Sequence, residues 1–184
     1  MMKIMLDAGH GPNTVGKRTL DGKMKEFVFN EAVAQFVKKE LTAFGLIVIN
    51  SHDSGRDVPL NERTALANKM GVDAFISIHA NAFGTTWNNT SGIETFTYTK
   101  PSKQSTILAS LIQNSLCSIT GRSNRGVKRA DFAVVRDTRM PAVLVECGFM
   151  TNKNEAILLQ STIYRMHCAK AITYAILCWI QQQR

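Results

Sequence analysis

The stretch KIMLDAGHG, residues 3–11, runs from an apolar segment into a histidine set between two glycines. A short apolar run closed by glycine reads as a buried strand. Its ending is odd for one, because Asp7 interrupts the apolar side chains and His10 lies between Gly9 and Gly11. A histidine buried in a core has no need of glycine on both sides. A histidine that meets a ligand where a strand runs out does, since glycine keeps backbone bulk out of the way. The stretch therefore predicts a strand over 3–8 and a ligand-facing group just past its carboxyl end.

Working outward, strands and helices alternate. A helix from about Glu26 to Phe44 carries Phe29, Val33, Phe36, Val37 and Leu41 on one face, with Gly45 as its stop. The strand LIVINS (46–51), a helix over 60–70 ending at Gly71 and the strand DAFISIHA (73–80) follow. A polar loop, 81–91, leads to the strand GIETFTY (92–98), and Pro101-Ser102 opens a helix reaching about Ser118. Two short apolar runs, FAVVR (132–136) and AVLVECG (142–148), read as strands; Asn152 caps a helix and a last helix starts near Thr162. Apolar strands interleaved with amphipathic helices predict an α/β fold: one domain over 1–184, a mixed, mostly parallel sheet of about six strands with helices on both faces. A chain of 184 residues, 45% hydrophobic and 20% charged, is large enough for one sizeable core.

In such sheets ligands gather beyond the carboxyl ends of the strands. The first strand delivers His10 there, SIHAN (77–81) delivers His79, and AVLVECGF (142–149) delivers Glu146, while a glycine-bearing loop leads to Glu26 at a helix start. Two histidines and one carboxylate are the ligand set of a catalytic zinc, and a further carboxylate off the metal can move the proton of a reacting water. His10, Glu26 and His79 as ligands with Glu146 as base fill each role once. Glu146 carries the strongest signal, because an unpaired carboxylate in an apolar strand is costly to bury. Asp7 either orients a histidine or caps a turn. Asn81, just past a ligand, is a candidate substrate contact or a loop-forming residue. His52 and Asp53, in the polar stretch SHDSGRD (51–57), read as surface groups, and His167 on the last helix as structural. Cys147 is disfavoured as a nucleophile beside Glu146, because adjacent strand residues face opposite ways.

The formal charge of +8 is concentrated. Residues 1–99 hold ten basic and ten acidic side chains, while 100–140 hold eight basic (Lys100, Lys103, Arg122, Arg125, Lys128, Arg129, Arg136, Arg139) against Asp131 and Asp137. Such a patch suits an anionic polymer, or is simply a solvated surface. Cys117, Cys147, Cys168 and Cys178 form no C-x-x-C pair and read as buried free thiols, as in a reducing cytoplasm. The apolar segment 171–180 is too short to span a bilayer.

The segments LDAGHG (6–11), Glu26, LNERTALAN (60–68), SIHANA (77–82), GIETF (92–96) and RGVKRADFAVVRDTRMPAVLVECGFMTN (125–152), in this order, resemble the zinc-dependent N-acetylmuramoyl-L-alanine amidases of the amidase-3 group. The resemblance covers nearly the whole chain. It implies cleavage of the amide joining muramic acid to the stem peptide of peptidoglycan, with His10, Glu26 and His79 on Zn2+ and Glu146 catalytic. The expected partner is peptidoglycan, with the charge of the 100–140 region suiting anionic wall polymers, and the expected state is a monomer with no nucleic-acid partner. The group often has a threonine-arginine pair after its second strand, where this chain has Asn50-Ser51-His52-Asp53, and its loop after the first histidine is richer in glycine and aspartate than PNTVGKRTLDGKMK (12–25). Two rival readings remain. A zinc carboxypeptidase would use Arg136 or Arg139 for a terminal carboxylate, and a basic binding module would be without catalysis. Met1-Met2-Lys3 leads straight into the first strand. The expectation is a protein made in the cytoplasm without a signal peptide, as for a phage lysin or mother-cell lysis enzyme, or else an excised domain of a secreted enzyme that has lost a C-terminal wall-binding module.

Overall fold

A computed structural model describes residues 1–183. Six strands form one sheet: β1 (Lys3–Ala8), β2 (Ile47–Asn50), β3 (Ala74–Asn81), β4 (Ile93–Thr97), β5 (Asn124–Arg129) and β6 (Ala142–Phe149). Six helices accompany them: α1 (Glu26–Ala43), α2 (Leu60–Met70), α3 (Lys103–Thr120), α4 (Ala133–Arg136), α5 (Lys153–Gln160) and α6 (Thr162–Gln181). The strand order is β2-β1-β3-β6-β4-β5, with every neighbour parallel except β4 against β6. The expected mixed, mostly parallel α/β sheet is what forms. No helix among the described residues is long and apolar enough to cross a membrane.

Alternation along the strands divides the chemistry between two faces. Ile4, Leu6, Ala8, Ile76, Ile78, Val143, Val145 and Cys147 join the large core built with α1, α3 and α6, whose Phe29, Val33, Leu108, Ile112, Ile172 and Trp179 are buried. Met5, Phe75, Ala142 and Leu144 point the other way, into a smaller core closed by Ala67 and Val72 and by Val134 and Val135 of α4. The alternate positions on that second face are Asp7, Ser77, His79 and Glu146. Strand register sets Asp7 beside Ser77 and His79 beside Glu146. The smaller core covers only the amino-terminal half of this face, which leaves its polar carboxyl-end half open. Cys147, as alternation requires, lies buried on the opposite face from Glu146.

Three expectations are corrected. FAVVR is a helical turn, α4, rather than a strand: Val134 and Val135 are both buried in the smaller core, and a strand would send one of them outward. The strand NRGVKR was missed because its polar, charged sequence has no apolar alternation, as suits the exposed edge of a sheet. His52 is not a surface group. It is buried, its Nδ1 accepts the Ala8 amide at 3.0 Å, and burial pushes its pKa down, so it serves as a neutral brace between the loop after β2 and the end of β1. Of the four free cysteines, Cys147 and Cys168 are buried, and Cys117 and Cys178 only partly so.

Candidate active site

The loop after β1 and the start of α1 place the first two groups. Gly9 donates to the Ile78 carbonyl at 3.0 Å, continuing the β1–β3 ladder by one residue, and His10 then turns into the left-handed region at φ 64°. That conformation is uncommon for a residue with a side chain, and histidine is among the types that tolerate it. It is held in place by Arg63, which donates to the His10 carbonyl. The loop over 12–25 returns through a bridge between Arg18 and Lys25, and the Glu26 amide bonds the Lys17 carbonyl at 2.9 Å, so α1 begins at the carboxylate. Placing Glu26 in the first turn puts its charge where the helix amides favour it.

Three donor sets converge here. Glu26 Oε2 lies 3.1 Å from His10 Nε2, and Glu26 Oε1 lies 3.0 Å from His79 Nδ1. One ligand atom from each of the three residues falls within 4.8 Å of the others, and the imidazole rings stand edge to face with centroids 5.1 Å apart. Burial opposes ionisation of Glu26, but the two imidazoles outweigh it and hold its carboxyl well below the usual range. Burial likewise works against a charged His79, and the Glu26 carboxylate outweighs it, raising the imidazole pKa. Two imidazoles and an ionised carboxylate turned toward one point are a donor set for a divalent cation.

The glycines around His10 are required, though for a reason the sequence did not reveal. A Cβ at Gly9 would lie 2.0 Å from His79 Cε1, and one at Gly11 would lie 2.2 Å from Asp57 Oδ1. The backbone makes way for His79 and Asp57 rather than for a ligand of His10. Asp57 in turn accepts from the Asn13 amide at 2.8 Å and Thr14 Oγ1 at 2.7 Å, fixing the loop that follows.

Behind the cluster lies a buried polar chain. With His79 Nδ1 facing Glu26, its Nε2 meets Ser77 Oγ at 3.1 Å, and Ser77 donates to Asp7 Oδ2 at 2.5 Å. Asp7 Oδ1 accepts from Ser51 at 2.6 Å and from Arg63 at 2.8 Å. Arg63, only 2% exposed, also donates to the carbonyls of Ala8 at 2.7 Å and Val58 at 2.8 Å. Asp7 thus steadies His79 through Ser77 and reaches His10 through Arg63. Burial would raise its pKa, but the guanidinium and both hydroxyls together hold it below the ordinary value. The sequence reading missed Arg63 altogether.

Glu146 stands beside His79 across the β3–β6 ladder. Its Oε2 is enclosed and has no hydrogen-bond partner, and desolvation pushes the carboxyl pKa up to about 8 despite the attraction of His79. Its antiparallel neighbour is Glu94, whose Oε1 is held by Arg125 and Lys128 at 2.5 Å each. Both cations come from β5, so the missed strand neutralises the second carboxylate and leaves Glu146 the one unpaired acid of the cluster. Asn81 has its amide engaged, giving to Glu94 Oε2 at 3.2 Å and receiving the Ala82 amide at 2.8 Å.

His10, Lys17, His79 and Glu146 line two grooves, one on either side of the cluster. The first, of about 510 Å3, is walled by Val58, Pro59, Leu60, Phe132, Val134 and Leu144. The second, of about 420 Å3, is bounded by Arg18, Asn81, Thr85 and Thr151. Neither includes Arg136 or Arg139, and Arg136 is occupied by Asp131 and Asp137. Arg136 and Arg139 therefore do not supply the cation that the carboxypeptidase reading assigned to them. His167 is exposed on α6, away from the cluster.

This geometry agrees with the comparisons. The N-acetylmuramoyl-L-alanine amidase model of the Amidase_3 family matches residues 4–178. The chain is 32% identical over 170 residues to the N-acetylmuramoyl-L-alanine amidase CwlM of Bacillus licheniformis, covering 92% of this chain and 65% of that protein. To the amidase LytC of Bacillus subtilis it is 35% identical over 170 residues, again 92% of this chain but 34% of that protein. It therefore spans less than two thirds of either. The N-acetylmuramoyl-L-alanine amidase of Clostridium difficile 630 superposes with a TM-score of 0.94 at 29% identity, over 100% of this chain and 98% of that one. Ordered motifs, sheet topology and a family match across nearly the full length converge: the chain belongs to the Amidase_3 family of N-acetylmuramoyl-L-alanine amidases.

Proposed function

We propose that this chain is a catalytic domain that hydrolyses the amide between N-acetylmuramic acid and the L-alanine of the peptidoglycan stem, with zinc held by His10, Glu26 and His79. The observation that carries the reading is a 4.8 Å cluster of two imidazoles and a carboxylate beside an enclosed, unpaired Glu146. The donor set suits zinc, with two neutral nitrogen ligands, one charged oxygen and an open side toward the grooves. A zinc ion bound there supplies positive charge that polarises the scissile carbonyl and lets water ionise near neutral pH.

The chain's own residues do the rest. Glu26 and His79 are fixed from behind by Asn30 and Ser77: Asn30 Nδ2 bonds Gly9 O at 3.0 Å and Glu26 Oε1 at 3.3 Å. Glu146 takes a proton from the attacking water and returns it to the departing alanine nitrogen. A carboxyl whose pKa is raised toward neutrality suits both halves of that exchange. The two grooves flanking the cluster would receive the two sides of the scissile amide. In the block at 100–140, Lys100, Lys103, Arg122, Arg129 and Arg139 form no ion pair with a carboxylate among the described residues, which leaves them free to hold anionic wall polymer.

Metal analysis of the wild type beside Glu146→Gln, with products from purified peptidoglycan, tests the proposal. One zinc per chain is expected in each protein. Intact stem peptides are expected from the wild type only, with turnover in the variant down about 10²–10⁴-fold. Release of terminal D-alanine, or a wild type that works without metal, would overturn it.

A further inference from the structure

Between β3 and β4 the chain runs through the loop 82–92, whose sequence AFGTTWNNTSG sets an indole among small polar residues. The loop is tied down. Phe83 N bonds Thr151 Oγ1 and Asn88 N bonds the Thr151 carbonyl, each at 3.0 Å. The Asn88 side chain donates to the carbonyls of Phe83 at 2.7 Å and Thr86 at 2.9 Å, and accepts from the Thr90 amide at 2.9 Å. Opposite it, Asn152 caps α5 by accepting from the amides of Asn154 and Glu155. The groove between these two segments, about 360 Å3, is lined by Trp87, Asn88, Asn89, Asn152, Lys153 and Asn154.

Asn88 and Asn152 are consumed by the framework. The carboxamides of Asn89 and Asn154, the Lys153 ammonium and the Trp87 indole N–H form no hydrogen bond among the described residues. The contrast with the other tryptophan is informative. Trp179 is 1% exposed and gives its N–H to Gln104 at 3.0 Å, a finished core contact. Trp87 is only partly covered and its polar edge is left over. An indole rimmed by carboxamides, with one cation and no carboxylate, does not suit a polyanion, which would need several charges. It suits a neutral ring with an apolar face and a polar edge, because an aromatic face takes C–H groups while each amide can both donate and accept. Sugars with hydroxyl and acetamido substituents have that form.

The groove is built from the same two segments as the cleft at the cluster. Gly84, Thr85 and Thr151 line the second of the grooves beside His79 and Glu146, and Trp87, two positions after Thr85, and Asn152, next after Thr151, line this one. We propose that the Trp87 groove is a glycan subsite, holding sugars of an N-acetylated glycan strand next to the one presented to the cluster. The inference rests on the amidase reading for the identity of the polymer, and not for the chemistry of the groove.

Intrinsic fluorescence tests it, because Trp87 and Trp179 are the only tryptophans and Trp179 is sealed. Titrating the full chain with the tetramer of N-acetylglucosamine should give a saturable change in emission that is absent in Trp87→Ala. Asn154→Ala, which removes an amide with no structural partner, should weaken the same titration by a smaller factor. On soluble glycan–peptide strands, Trp87→Ala should raise KM roughly five- to tenfold, about the loss of one aromatic stacking contact, while turnover of the single-sugar substrate N-acetylmuramoyl-tripeptide is unchanged. No emission change together with an unchanged KM on strands would overturn the subsite. So would an equal loss on both substrates, which would make Trp87 a prop for the loop. If the wild type releases no stem peptides, the amidase reading fails, and the fluorescence titration alone decides the groove.

Discussion

Arg63→Met removes a guanidinium and keeps most of the side-chain volume. In the structure that guanidinium satisfies Asp7 Oδ1 and the carbonyls of Val58, Ala8 and His10, all at a site 2% exposed. The substitution leaves Asp7 buried with only Ser51 and Ser77 as partners, and three carbonyls lose a donor. Removing one partner of a buried ion pair costs about 3–5 kcal/mol. At this chain length that lowers Tm by roughly 6–20 °C. A general loss of packing could do the same, so the partner residue supplies the control. Asp7→Asn combined with Arg63→Met removes both charges and should recover part of the loss, giving a favourable coupling energy in a double-mutant cycle. A second readout is local. Without a donor on its carbonyl, His10 has less to hold it at φ 64°, and divalent metal affinity in the folded variant should fall about 10–100-fold, as when the support of a ligand is removed. Denaturant unfolding and competitive chelation measure the two effects. If Arg63→Met unfolds within about 1 kcal/mol of wild type and binds metal equally well, the buried chain from Asp7 to the cluster does not operate as described.

Gly9→Ala tests the close approach rather than backbone freedom, because Gly9 is not in the positive-φ region; the new Cβ would meet the His79 ring at 2.0–2.5 Å, so metal affinity should drop about 10–100-fold with far-UV dichroism unchanged, and equal affinity would refute the contact. The lowered pKa of Asp7 fixes the sign of its linkage: its stabilisation is fully present above the unfolded value of about 3.9 and is lost as pH falls through the lower folded value. Unfolding free energy measured from about pH 5 toward pH 2 should show this fall in wild type and a shallower one in the Asp7→Asn, Arg63→Met double variant; identical slopes would count against it. If the unpaired cations of 100–140 hold wall polymer, raising salt from low to physiological should weaken binding to purified walls, and salt-independent binding would remove them from that role.

How much of this was legible follows from where each residue's explanation lies. The strands β1, β3 and β6 read plainly because they are short apolar runs, and each ends at a polar residue an apolar strand would not otherwise carry: Asp7 and His10, His79, Glu146. The sheet order then brings β1, β3 and β6 side by side, so residues distant in sequence meet at one edge. FAVVR could not be resolved, because four or five apolar residues fit one helical turn as well as a strand. β5 was invisible because an edge strand is held by backbone pairing to β4 and not by its own apolar pattern. His52 misled because its neighbours are polar, and what buries it is the Ala8 amide 44 positions earlier and the Phe27 ring across from it.

Arg63 is the instructive omission, since the sequence did hold a signal for it. The inward face of α2 carries Arg63, Thr64 and Ala67, which are its buried residues, so the arginine occupies a position where helical spacing expects an apolar side chain. Asp7 sits in a strand where alternation predicts burial, and a buried carboxylate needs a cation or several donors. Each residue alone looks like a violation of pattern. Taken as a pair they are complementary, a buried acid on a strand and an inward-facing base on the helix that packs against the same sheet face. Matched across elements rather than against their own neighbours, such violations point from sequence to the support beneath the cluster. In the structure Glu94 is paired with the cations of β5, and Glu146 is left as the carboxylate at the cluster with no partner, a state that suits a proton-transferring group.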